Sequence, residues 1–116
     1  MKKFLIAAAV VVATVMPATA SAFWHGTVIG VANWDELNVR KWPSSQSKII
    51  DAYDNGDDVS LTGRCKDIVS NWSFRVDGGQ SAAWKHSRMK RANVWCQVSS
   101  PNDKIGWVRG AFVWPY

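Results

Sequence analysis

Past residue 22 the chain has almost no stretch with a sustained helical period, and the one short candidate runs from Ser81 to Ala92. The rest is short alternating or apolar segments cut by turn formers. Gly26 to Ala32 alternates weakly and reads as an opening strand. Ile49 and Ile50, with Ala52 and Tyr53, read as a partly buried strand. Asp54-Asn55-Gly56-Asp57 is a tight turn, because Asn and Gly accept positive φ. Val59, Leu61, Gly63 and Cys65 share one parity, and Val94, Cys96 and Val98 share one parity on a later strand. Pro101-Asn102-Asp103 turns that strand into another beginning at Ile105. Residues 33–47, rich in Asn, Asp, Pro, Ser and Gln, read as a long loop. Many short strands with turns between them predict an all-β fold, a small β-barrel.

The first 22 residues stand apart. Lys2 and Lys3 precede an uncharged apolar run from Phe4 to Met16, Pro17 breaks it, and Ala20-Ser21-Ala22 is a small-x-small site. This is the pattern of a secretory signal peptide. The run is shorter than the roughly 20 apolar residues that span a bilayer, so no stable membrane span is expected. With no Cys near the cleavage site, a lipoprotein anchor is not expected either. The predicted organisation is a signal peptide over 1–22 and one domain over 23–116, exported to the periplasm or beyond. Losing Lys2 and Lys3 leaves 12 basic residues against 9 acidic ones, a net charge of +3 instead of +5. So mild a charge, on an exported chain, does not suggest nucleic acid. It favours anionic partners such as cell-wall polymers or lipid headgroups.

Cys65 and Cys96 are the only cysteines. An even number in an exported chain suggests one disulfide. Each Cys shares its parity with apolar neighbours, so each points with them toward the core. A metal or redox pair is disfavoured: C-x-x-C spacing is absent and the chain has only two histidines.

Leu37-Asn38-Val39-Arg40-Lys41-Trp42-Pro43-Ser44-Ser45 resembles the L-N-V-R-x-G-P-S signature of the bacterial SH3-like domain. Further blocks follow in the family's order: Lys48-Ile49-Ile50, Asn55-Gly56-Asp57, Val59 to Gly63, Trp95-Cys96-Gln97-Val98, Gly106-Trp107-Val108 and Phe112-Val113. Together they cover about residues 30–65 and 93–114. The resemblance implies a small SH3-like β-barrel acting as a binding module. It also implies that the Cys65 and Cys96 strands are antiparallel neighbours, so that their bridge closes the base of an insertion. Arg40 matches the motif arginine, expected to fix the loop through backbone carbonyls.

Two departures from the family pattern stand out. Trp42 occupies a position the family gives to Gly, and residues 66–93 replace a short loop. Within that insertion Trp72-Ser73-Phe74-Arg75-Val76 alternates like an extra strand, and Asp77-Gly78-Gly79 turns the chain. Ser81 is placed to cap a short helix built from good formers such as Ala82, Ala83, Lys85 and Met89. On that helix Trp84, Arg88 and Arg91 would share a face at i, i+4, i+7.

Eight tryptophans are more than the core of one small domain takes in, so several are expected at the surface, where an indole stacks on sugar or packs on peptide. Trp42 is the leading candidate: it either binds a ligand or packs against the insertion. Trp34 lies at the other end of the same loop. Trp107 and Tyr53 are expected to line the neighbouring groove, which in SH3-like folds takes extended peptides. Lys85, Arg88, Lys90 and Arg91 form the densest positive cluster, either a solvated face or a docking patch for an anionic envelope polymer or an acidic protein. No nucleophile motif surrounds His25 or His86, and Asp54, Asp57 and Asp58 lack the spacing of a calcium loop. The expectation is a non-enzymatic module without metal or cofactor. Its candidate ligand-binding residues are Trp34, Trp42, Tyr53, Trp107, Arg88 and Arg91. Its expected partner is peptidoglycan or another envelope component, or else another exported protein that it binds or inhibits.

Overall fold

The computed structural model describes residues 24–116; the expected signal peptide and its cleavage lie outside the described residues. Eight strands form one sheet: β1 (Trp24–Val28), β2 (Leu37–Arg40), β3 (Ile49–Tyr53), β4 (Asp58–Asp67), β5 (Trp72–Arg75), β6 (Val94–Ser99), β7 (Ile105–Arg109) and β8 (Val113–Pro115). One helix, α1 (Ala82–Met89), lies between β5 and β6, and a 3-10 turn over Gly110–Phe112 leads into β8. The strand order is β3-β2-β7-β6-β4-β1-β8, and β5 pairs with β4. All the pairings are antiparallel.

The sheet is open. β3 and β8 stand at its two ends with no ladder between them. The turn before β4 only touches β1, through Val28 N–H to Asp57 O (2.9 Å) and Gly56 N–H to Val28 O (2.8 Å). Beside the three-residue β8 lies α1, whose His86 Nδ1–H donates to Val113 O at 3.1 Å. The helix thus occupies part of an edge that strand pairing would otherwise use.

β4 organises the sheet. Its first half pairs with β1, its second half with β5, and β6 runs along its other side. Between Leu61 and Cys65 the register against β6 shifts, Leu61 opposing Val98 and Cys65 opposing Cys96. A shift of two residues keeps Leu61 and Cys65 on the same, buried face. Gly63 makes it possible, with φ at 97°. A Cβ there would also meet the Asp77 side chain at 2.8 Å. Asp77 is fixed in turn by Arg75, whose Nη2 donates to it at 2.7 Å and to Thr62 O at 3.1 Å. That guanidinium holds the Asp77 carboxyl below the ordinary carboxylate range.

Cys65 and Cys96 are joined, directly opposite each other on β4 and β6, with Cα atoms 4.1 Å apart. That is shorter than the roughly 5–6 Å common for disulfides, as the two residues are direct partners on neighbouring strands. The bridge is wholly buried beside Val59, Leu61, Val98 and Val108.

The insertion is ordered. β5 is the expected extra strand, and Ser81 caps α1, its Oγ accepting from Trp84 N–H at 3.1 Å. The helix ends at Met89, earlier than Ala92, because the chain must return to β6. Residues 33–47 are not one loop: Leu37–Arg40 is a strand, with Leu37 and Val39 buried. Gly106 lets it lie close, since a Cβ there would strike Val39 Cγ1 at 2.6 Å. The opening strand begins at Trp24, two residues before Gly26, and ends at Val28 because Gly30 (φ 73°) turns the chain.

Two outcomes test this account. Reducing the disulfide, which closes a separation of 31 residues, should remove on the order of 3.5–4 kcal/mol; calorimetry with and without reductant measures it, and an unchanged melting temperature would refute the stabilising role. Gly63→Ala should cost about 1–3 kcal/mol in urea unfolding, since Ala is strained at positive φ and meets Asp77 there.

Candidate functional site

The loop joining β2 to β3 is held by its own polar groups. Arg40 Nη1 donates to Ser47 O at 2.8 Å, as the motif arginine was expected to do. Lys41 N–H reaches Lys48 O at 2.9 Å, and Trp42 N–H reaches Ser47 Oγ at 2.8 Å. These bonds fix the backbone and leave the Trp42 indole unused. It is 63% exposed, so the alternative that it packs against the insertion is not what the fold does. Trp34, in the turn before β2, is 90% exposed.

Between this loop and the sheet lies a groove of about 170 Å³. Ser45 of the loop, Glu36 just before β2, Arg40 at its end, and Trp95, Arg109 and Phe112 all line it. Trp95 and Arg109 are register partners on β6 and β7, and the guanidinium lies 5.5 Å from the indole centre. Arg109 Nη2 also donates to Ala92 O at 3.1 Å. Two guanidiniums and one carboxylate give the groove a positive balance over an aromatic wall. Its volume is below the roughly 300 Å³ at which enclosed small-molecule pockets begin. It suits one charged group or the end of a chain.

Tyr53 and Trp107 take no part in it. Tyr53 is 3% exposed, its hydroxyl donates to Ser99 O at 2.9 Å, and burial pushes its phenol pKa up. Trp107 is 7% exposed with the Arg64 guanidinium 5.9 Å from its ring. Both were expected at the groove and neither lines it: Tyr53 belongs to the core cluster, while Trp107 lies on the same face of β7 as Ile105 and Arg109 and is buried there beside Arg64. Tyr53 instead edges a separate cavity of about 340 Å³ whose lining includes Asp57, Asp58, Asp103, Ser60 and Ser99. There Tyr116 donates to Asp58, which raises the Tyr116 pKa, and His25 Nδ1 lies 3.2 Å from the same carboxylate. Among the described residues no three His, Cys, Asp or Glu side chains are grouped to hold a metal ion. The cavity's acidic lining repels anions.

The insertion's cations divide. Arg88 lies over Trp84, 4.9 Å from its centre, and both are partly accessible, as expected for that pair. Lys85 does not join them. It is 5% exposed on the inner face of α1, its Nζ 4.5 Å from the Trp24 ring centre. Arg91 lies beyond the helix end, exposed, near Asp67. The Ser70 and Val69 N–H groups hold the Asp67 carboxyl below its ordinary value, and Arg91 adds to that. No helix among the described residues is long and apolar enough to cross a membrane.

Sequence reasoning expected exposed tryptophans at Trp34 and Trp42, which are exposed but do not line the groove, and it missed Arg109, Trp95 and Phe112 as groove residues. The available signal was parity: Arg109 falls out of phase with the buried Gly106 and Val108. Trp42→Gly should change the unfolding free energy by less than about 1 kcal/mol, because an exposed ring with only the Lys41 ammonium near it, 5.9 Å from its centre, contributes little. A loss of about 2–4 kcal/mol in denaturant titration would mean the ring is buried after all.

No protein-family model, curated protein or solved structure matches this chain.

Proposed function

We propose that this chain is a non-enzymatic, SH3-like binding module of the bacterial cell envelope, acting in the periplasm or outside the cell. Its ligand is a carboxylate-bearing envelope polymer, peptidoglycan first among them. The observation that carries the reading is the groove lined by Arg40 and Arg109 together with Trp95 and Phe112, beside a loop whose Trp42 is exposed. A guanidinium recognises a carboxylate through paired N–H donors. Peptidoglycan offers peptide carboxylates for such a site and sugar faces for an exposed indole. The larger, acidic cavity has the wrong sign for this ligand. The order of the sequence motifs and the strands they fall on support the SH3-like reading.

A second reading rests on the free edge of β3, whose Ile49 is exposed. An extended segment of another exported protein could add there as a further strand. It requires no contribution from Arg109.

The test is retention on purified cell-wall sacculi. Arg109→Gln removes the charge while keeping much of the stem that packs by Trp95. Retention should weaken at least tenfold, about 1.4 kcal/mol, with an unchanged melting temperature. Trp42→Gly should weaken it as well. Retention by Arg109→Gln equal to the parent's would remove the groove from the account. A parent that ignores sacculi but forms a stoichiometric complex with one defined exported protein would replace the first reading with the second.

A further inference from the structure

The hairpin formed by β4 and β5 ends in apolar side chains that stand exposed among the described residues. Ile68 is 40% and Val69 74% exposed, and Trp72 on β5 is half exposed. Trp72 is held against the half-buried Phe74, ring centres 5.0 Å apart, so the apex is braced from the core outward. Asp67 Oδ1 accepts from Val69 and Ser70 N–H (2.9 and 3.1 Å), Asn71 adopts φ 62°, and Ile68 N–H is tied to Asn93 O at 3.0 Å. The tip is therefore a built turn that projects hydrophobic residues.

Charge is distributed about this tip in order. Residues 64–91 carry seven Lys and Arg against two Asp, a net of +5, while the rest of residues 24–116 carries five against seven, a net of −2. Lys66 and Arg64 lie on β4 behind the apex, roughly 10 and 17 Å from Val69 at 3.3 Å per residue. Arg64 stands opposite Arg75 in the register, a like-charged pairing that a sheet tolerates at a cost. Asp77 neutralises Arg75 and leaves Arg64 as free positive charge. Lys90 and Arg91 are exposed at the same end, just before β6. The acids Asp57 and Asp58 sit at the opposite end of the ten-residue β4, with Asp103 on the cavity beside them.

We infer that the β4–β5 hairpin is a membrane-surface anchor: Ile68, Val69 and Trp72 enter the interfacial region of an anionic bilayer while Arg64, Lys66, Lys90 and Arg91 meet lipid phosphates. The order apolar apex, indole, cations matches the order acyl chain, interface, headgroup met on entering a bilayer. A convex tip cannot enclose a soluble ligand. The positive residues around the tip and the acids Asp57 and Asp58 at the start of β4 would also orient the molecule tip-first toward a negative surface. This goes beyond polymer recognition, since the tip residues do not line the groove.

The test uses the purified, disulfide-bonded protein and co-sedimentation with vesicles of phosphatidylcholine alone or containing phosphatidylglycerol. The parent should bind the phosphatidylglycerol vesicles and leave the neutral ones largely unbound. Ile68→Ser/Val69→Ser keeps every charge and should lower vesicle partitioning at least tenfold, while its retention on sacculi stays at the parent's level. Lys66→Ala/Lys90→Ala/Arg91→Ala should also weaken vesicle binding, most strongly at low salt, because exposed charges are screened near 0.15 M. Three results would overturn the inference. One is a parent that does not sediment with anionic vesicles. Another is a double-Ser variant that binds them as the parent does, which would mean surface charge alone. The third is a parent that self-associates in analytical ultracentrifugation through a contact the double-Ser variant abolishes, which would make the tip an interface between copies.

Discussion

The pairing of Cys65 with Cys96 is the constraint on which the rest of the structure depends. The two residues face each other in the middle of the sheet, on the strands that carry the largest share of the core. Their bond closes the base of the 66–93 insertion, so β5 and α1 are built out from a fixed point. Without it, ordering those residues would have to be offset by packing alone, at a conformational cost of about 1–2 kcal/mol for each backbone unit. With it, the loop-closure part of that cost has already been met in the unfolded chain.

The bulge at Gly63 works with the bridge. It shifts β4 by two residues against β6 without turning core side chains outward. The first half of β4 can then serve β1 and the second half β5, which lengthens the strand beyond the sheet's body. One consequence is a projecting hairpin with an apolar apex. Another is the separation of charge along β4, with the acidic cavity at its start and the basic insertion at its end.

Tryptophan has two different duties here. Trp95 and Trp107 are buried, and each has an arginine near its ring, so the guanidinium shields apolar area while remaining in water. Trp34 and Trp42 are held in solvent by loops whose backbone is satisfied internally. Trp24, Trp84 and Trp114 are intermediate cases, beside Lys85, Arg88 and His86 respectively. Pairing with the Lys85 and Arg88 cations makes the Trp24 and Trp84 indoles less costly to expose.

Period-2 alternation, turn chemistry and cysteine parity determined a great deal by themselves: the β3, β4, β6 and β7 strands, the turns at 54–57 and 101–103, the disulfide, and the strand and capped helix of the insertion. Each depends on residues close in sequence, or on one alternating face, and such signals survive without knowledge of the fold. Leu37 and Val39 carried the same signal but were obscured by the polar residues around them. What tertiary structure alone decided was which aromatics and cations meet. Lys85 went inward because α1 packs on β8 and β6, which brings its Nζ to the Trp24 ring, and Tyr53 became part of the core while Trp107 came to lie beside Arg64. Arg109 joined Arg40 at a groove because β7 places it across from the loop. The open sheet is likewise a tertiary result, since whether β3 and β8 pair depends on long-range curvature and on the helix lying beside β8, and no local pattern encodes either.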